Sequence, residues 1–329
     1  MPSDQPEFSV ENYPLIVFVH VPKKGGTTVG KVLWQCSHRG QGAWHKIPLR
    51  DLSEVARRAD WIGGHLGKDI FAASLDTAGR QKEYFAIIRE PVSHLLSNLN
   101  WLFEIYNRGP LFFWTCGTAQ RLLSAEVRAT DFSKASSVIA ILRRYKGNFF
   151  NRQSRAILGN DFAAISSSEA ARRLASYTYI AVHENLSALY PAFGFARLPK
   201  EICSLHENAA QRYYFDTSLF ESQEILDFLA QHHAHDFRLY DRVRQTSWPV
   251  EGRDPFRPAF QLVTASNYDE QAYLDFNLDV ANGLKGHRTW RSGRDHFDAQ
   301  GYAEQRRQVF MPRYAGYGQK VHGLEIAHD

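Results

Sequence analysis

The sequence predicts an α/β protein built on a parallel sheet, followed by a small second unit. Three observations carry that expectation. Residues 15–21 (L-I-V-F-V-H-V) form a short apolar, β-branched run with no polar alternation, the pattern of a strand buried on both faces. The run stops at Pro22 and passes through a basic glycine loop, Lys23, Lys24, Gly25 and Gly26, to the helix openers Thr27 and Thr28. The chain has 329 residues, 44% of them hydrophobic, enough for one large α/β core plus a module.

Strand, glycine loop and helix together make a phosphate cradle. Backbone N–H groups point at the anion, the helix dipole favours it and lysines neutralise it. The same residues would also suit an ordinary βα turn with surface lysines. Gly25-x-x-x-x-Gly30-Lys31 follows most of a Walker A pattern, but Val32 stands where a hydroxyl should hold Mg²⁺. Bulk charge is compatible with anionic ligands: net +4, pI near 8.9, too mild to argue for nucleic acid. Three dispersed cysteines, Cys36, Cys116 and Cys203, without a C-x-x-C pair, read as reduced thiols and not as a zinc site. Residues 1–12 are polar and acidic, unlike a signal peptide, and no apolar run reaches the length of a membrane span. The expectation is a membrane-free, cytoplasmic, bacterial enzyme.

Further along, residues 34–59 mix basic and aromatic side chains, as a solvated connection or a sugar site would, with a helix over 49–58. Residues 59–67 (A-D-W-I-G-G-H-L-G) give a short strand running into glycines and His65. Imidazole there suits a base working near neutral pH, or a strand-end side chain satisfying a carbonyl. A third strand, 84–88, leads into Arg89, Glu90 and Pro91, a strand-end guanidinium followed by a helix start with Ser97 beyond it. Aromatic-rich 98–113 reads as helical core, and 120–145 as one or two amphipathic helices. Residues 148–159 hold the polar set Asn151, Gln153, Ser154 and Arg155. A strand over 177–183 precedes Glu184, a second candidate base or a carboxylate at a helix start. His232, His233 and His235 sit close together without a second cluster, which argues against a metal site.

Taken in order, these segments resemble sulfotransferases that use 3′-phosphoadenosine-5′-phosphosulfate (PAPS), in the branch of the heparan-sulfate 2-O- and 6-O-sulfotransferases. Pro22-Lys23-x-Gly25-Gly26-Thr27-Thr28 is similar to the family's P-K-T-G-G-T-T loop, with Lys24 in place of Thr. Residues 89–97 are similar to R-D-P-x-x-R-x-x-S, with Glu90 for Asp and His94 for Arg. Residues 151–159 are similar to N-x-Q-T-R-x-L-x-G, and 236–240 to the closing D-x-x-L-Y helix. The resemblance covers roughly 15–244. It implies a P-loop-like parallel sheet flanked by helices and transfer of a sulfuryl group from PAPS to an acceptor hydroxyl, releasing 3′-phosphoadenosine-5′-phosphate (PAP), with no metal. It implies His65 as general base and Lys23 stabilising the leaving phosphate. Lys24, Gly25, Gly26, Thr27, Thr28, Arg89, Ser97 and Arg155 complete the PAPS site. The implied acceptor is a saccharide or polysaccharide.

A P-loop kinase using ATP and Mg²⁺, a non-catalytic nucleotide-binding protein and a scaffold acting through its C-terminal part are the alternatives. Prolines and a glycine in 248–258 mark a linker, so the expected units are 1–248, a linker 249–262, a helical module 263–313 and a tail 314–329. The module resembles a short helical unit, Y-L-x-x-N-P-D-V-A … H-F-x-x-G-x-x-E-G-R, appended to bacterial glycosyltransferases and other surface-carbohydrate proteins.

Overall fold

Five parallel strands form the central sheet: β1 (Leu15–Val19), β2 (Gly42–Trp44), β3 (Trp61–Gly64), β4 (Lys82–Ile88) and β5 (Tyr179–Val182), in the order β2-β3-β1-β4-β5. The computed structural model describes residues 13–22, 26–37, 42–44, 48–75, 79–195, 213–248, 257, 259–284 and 290–310. Val17 of β1 lies between Ile62 of β3 and Tyr84 of β4. Every residue of β1 is fully buried, which is why its sequence shows no alternation. The sequence does not single out β2, which is three residues long and begins with glycine.

Helices cover the sheet through crossover connections. α1 (Gly26–Cys36) follows β1, α2 (Leu52–Arg58) precedes β3 and α3 (Lys68–Ser74) follows it. The link from β1 runs towards β2, and the link from β4 runs towards β5 on the other side. Their C-terminal ends therefore border a crevice, the usual ligand position in an open parallel sheet.

Between β4 and β5 the chain builds a helical layer. α4 (Pro91–Asn107) starts with Pro91 in its first turn, and the Glu90 carboxylate accepts from Val92 N–H at 2.9 Å and Ser93 N–H at 2.6 Å. α5 (Pro110–Thr115), α6 (Thr118–Ala129), α7 (Ala135–Arg144), α8 (Lys146–Phe149), α9 (Arg152–Leu158) and α10 (Ser167–Ala175) follow. After β5 come α11 (Leu189–Ala192), α12 (Gln223–His232) and α13 (Ala234–Gln245). Leu95, Leu99, Ile105, Leu123, Val127, Leu142 and Phe228 make a second core among α4, α6, α7 and α12. Each fully buried leucine there contributes about 1.5–3 kcal/mol. No helix among the described residues is long and apolar enough to cross a membrane.

The C-terminal part is not purely helical. α14 (Glu270–Phe276), α15 (Leu278–Leu284) and α16 (Gly293–His296) pack with an antiparallel pair, β6 (Ala259–Leu262) and β7 (Arg307–Phe310). β6 falls inside the 249–262 stretch read as a linker, and so does Arg257. The Arg257 side chain is buried: Nη2 lies 2.6 Å from Glu83 Oε2, Nε donates to the Phe193 carbonyl at 2.8 Å, and Nη1 donates to the Pro14 carbonyl. Arg307 of β7 donates to the carbonyls of Trp34 at 3.0 Å and Ser37 at 2.8 Å, with its guanidinium over the Trp34 ring. Composition marks this stretch as loose because of its prolines. Two buried arginines instead dock the C-terminal part onto β4 and α1. The expected tail 314–329 lies outside the described residues.

Candidate functional site

The site begins with strand register. Val19 pairs with Gly64, and His20 N–H continues the ladder to the Gly64 carbonyl at 3.0 Å. His20 and His65 therefore leave the ends of β1 and β3 side by side, with ring centroids 4.6 Å apart. His20 is buried; His65 is exposed. A cleft of about 220 Å³ opens over them, lined among others by His20, Pro22, His65, Asp69, Arg152 and Arg155.

The two arginines are placed by the start of α9. Asn151, at φ 49°, bonds the His232 carbonyl through Nδ2 at 2.8 Å and accepts from Asp236 N–H at 3.2 Å. The buried Asp236 carboxylate in turn accepts from Ser154 N–H and Ser154 Oγ, both at 2.7 Å, which caps the helix from a neighbouring element. Gln153 exchanges two 2.9 Å hydrogen bonds with the backbone of Arg89 and ties α9 to the end of β4. Asn151, Gln153 and Ser154 thus serve the packing, while Arg155, one turn on, reaches the cleft. Arg152 precedes it by three residues and so shares its face.

The half-buried Arg152 guanidinium makes no hydrogen bond or ion pair to a described residue. Burial and then the neighbouring Arg155 charge push its pKa below the ordinary arginine value, and Asp236 partly offsets them. Arginine nevertheless stays charged, so the cleft holds a partly desolvated cation beside a second one, an environment that an anion would relieve. Arg155 Nη1 donates to the Gly147 carbonyl at 3.1 Å.

Of the residues singled out from sequence, His65 and Arg155 share this cleft, together with Pro22. Arg89 sits at the end of β4, its guanidinium without a hydrogen bond or ion pair to a described residue; Ser97 is half-buried on α4. Neither lines the cleft. Gly26 and Thr27 open α1, and the Thr28 side chain is buried. Lys23, Lys24 and Gly25 lie outside the described residues. Val32, the position that breaks the Walker pattern, is fully buried in the core. His94, which stands where the resembled motif has Arg, is buried, and its Nε2–H donates to the Pro22 carbonyl at 3.1 Å, anchoring the approach to the loop. Glu184 is exposed and does not line the cleft; burial and then the Glu184 charge raise the pKa of Tyr240. His233 is buried against Phe150, and among the described residues no group of three metal-ligating side chains occurs.

Sequence reasoning missed His20, Asp69 and Arg152. Arg152 had a usable signal, its i, i+3 spacing to Arg155. His20 had none, because it looked like one residue of an apolar strand.

Gly26 is fixed by contact. A Cβ there would stand 2.0 Å from His20 Nε2 and 2.1 Å from its Cδ2. Gly26→Ala should lower stability by about 1–3 kcal/mol in urea unfolding, because the His20 ring is boxed in by Phe18 and His65. His20→Ala in the same chain should recover most of that loss. Failure of the double variant to recover would locate the strain elsewhere.

A positioned imidazole beside two cations at the end of a parallel sheet can take a proton from a hydroxyl while holding an anion. No family model matches the chain, and neither a curated protein nor a solved structure does.

Proposed function

We propose that this protein is a sulfotransferase that moves a sulfuryl group from PAPS to a hydroxyl of a saccharide acceptor and releases PAP. One observation carries the reading: His65, Pro22 and Arg155, from three distant stretches of sequence, line a single cleft at the C-terminal ends of a parallel sheet. The residues suit an anionic donor. Gly26 leaves no room for a side chain where α1 begins, and Arg152 and Arg155 bring cationic charge to the cleft.

PAPS supplies the activated sulfuryl group; the chain supplies position and charge. Lys23 and Lys24, with the amides of Gly25, Gly26, Thr27 and Thr28, hold the 5′ end, and Arg89 and Ser97 hold the 3′-phosphate. Arg155 contributes to the same nucleotide site. His65 takes the acceptor's proton as the acceptor oxygen–sulfur bond forms and the sulfur–oxygen bond to the 5′-phosphate breaks. Lys23 follows the charge onto the departing phosphate. The kinase alternative gains nothing from Val32, which is buried and carries no ligating atom.

The test is transfer from PAPS labelled in its sulfate. Wild type should move label to an added saccharide, or release it slowly as free sulfate. Arg89→Ala should weaken PAP binding by about 2–5 kcal/mol while adenosine 5′-phosphosulfate, which lacks the 3′-phosphate, changes little. No turnover of PAPS, together with label transfer from the γ-phosphate of ATP and Mg²⁺, would establish the kinase instead.

A further inference from the structure

Away from the cleft, exposed apolar side chains gather where α4, α5 and α6 meet. Leu111 is 88% exposed, Trp114 68% and Tyr106 49%. Ring contacts join part of this group: Tyr106 meets Phe113 at 5.8 Å and Phe113 meets Trp114 at 5.9 Å. Phe112 and Phe113 are half-buried against the second core and hold α5 in place. Gly109, at φ 98°, sets the turn that carries α5 outward, a conformation that favours glycine.

The charges stacked on the rings of the patch are cationic. Residues 109–120 contain no charged side chain, and the residues bounding them are Arg108 and Arg121. The Arg121 guanidinium lies 4.5 Å over the Trp114 ring, and that of Arg128 lies 3.4 Å over Tyr106. Neither Arg121 nor Arg128 has an acidic partner among the described residues; Arg108 pairs with Glu104 at 2.7 Å.

We propose that this patch seats the protein on a membrane surface rich in anionic phospholipid, with α5 in the headgroup layer. Aromatic and aliphatic side chains enter the acyl boundary while arginines stacked on the rings meet lipid phosphates. A second copy of the chain fits less well. A two-fold contact would set this patch against itself, and the neighbouring acids Glu104 and Glu126 are already held by Arg108 and Arg144. The proposal stands whether or not the cleft holds PAPS.

Co-sedimentation of the full chain with vesicles tests it. One set is phosphatidylcholine alone; the other adds phosphatidylglycerol at roughly one lipid in four to give a negative surface. Wild type should sediment with the anionic vesicles and stay largely in solution with the neutral ones. Leu111→Asp should lower that partition by about tenfold or more, since a charge replaces the most exposed apolar side chain. Its unfolding curve should match wild type. Arg121→Gln combined with Arg128→Gln should also weaken binding and flatten its salt dependence. Equal sedimentation with both vesicle types, or unchanged binding of Leu111→Asp, would overturn the proposal. A wild-type dimer in size-exclusion chromatography that Leu111→Asp converts to monomer would assign the patch to a second copy instead.

Discussion

Arg257→Ala should destabilise the protein by about 3–5 kcal/mol, measured by urea unfolding of the full chain. Arg257 and Glu83 are both buried, with Nη2 and Oε2 2.6 Å apart. Removing the guanidinium takes a positive charge from 2.6 Å beside the buried Glu83 carboxylate. It also strips a donor each from the Pro14 and Phe193 carbonyls. Arg257→Lys keeps the charge but not the planar fork, so it should fall between wild type and Arg257→Ala. Replacing both partners, Arg257→Met with Glu83→Gln, should cost less than the sum of the single changes, because neither charge is then stranded. A chain cut just before residue 257 should be at least as unstable as Arg257→Ala. A loss below about 1 kcal/mol for Arg257→Ala would mean that the C-terminal part does not lean on this pair.

His65→Ala should lower turnover of PAPS by about 10²–10⁴-fold while PAP affinity stays near wild type. The imidazole is exposed to the cleft at the end of β3, so its loss removes a proton acceptor without opening the core. Lys23→Ala should behave differently, losing turnover and nucleotide affinity together, because a lysine on the phosphate acts in ground and transition states alike. Single-turnover transfer separates the two. A wild-type rate in His65→Ala would place the base elsewhere. Asp69, a carboxylate in the same cleft, would then be tested before Glu184, which does not line it.

Much of the sheet is legible in the sequence because fully buried parallel strands leave apolar runs: β1, β3, β4 and β5 all coincide with such runs. β2 is not legible, since a three-residue edge strand leaves no pattern. Strand order is a long-range property, and nothing local says that β3 inserts between β2 and β1. The same division holds at the site. His65 stands out because glycines and an apolar run isolate it. His20 stays hidden inside an apolar run, and only the pairing of β1 with β3 brings its ring to His65. His94 was legible as a residue type but not as a role, because its Pro22 partner lies 72 residues away in sequence. Prolines around position 255 conceal the attachment made by Arg257, whose carbonyl and carboxylate partners are spread along the chain.

The most direct measurement is ligand preference in thermal unfolding, with PAP in EDTA compared against ATP with Mg²⁺. A site built to read the 3′-phosphate without a metal predicts that PAP raises Tm and that EDTA does not remove the shift. At a PAP concentration about 100 times its Kd, the stabilisation should approach about 2.7 kcal/mol. Stabilisation by ATP only when Mg²⁺ is present, with none from PAP, would contradict the sulfotransferase account.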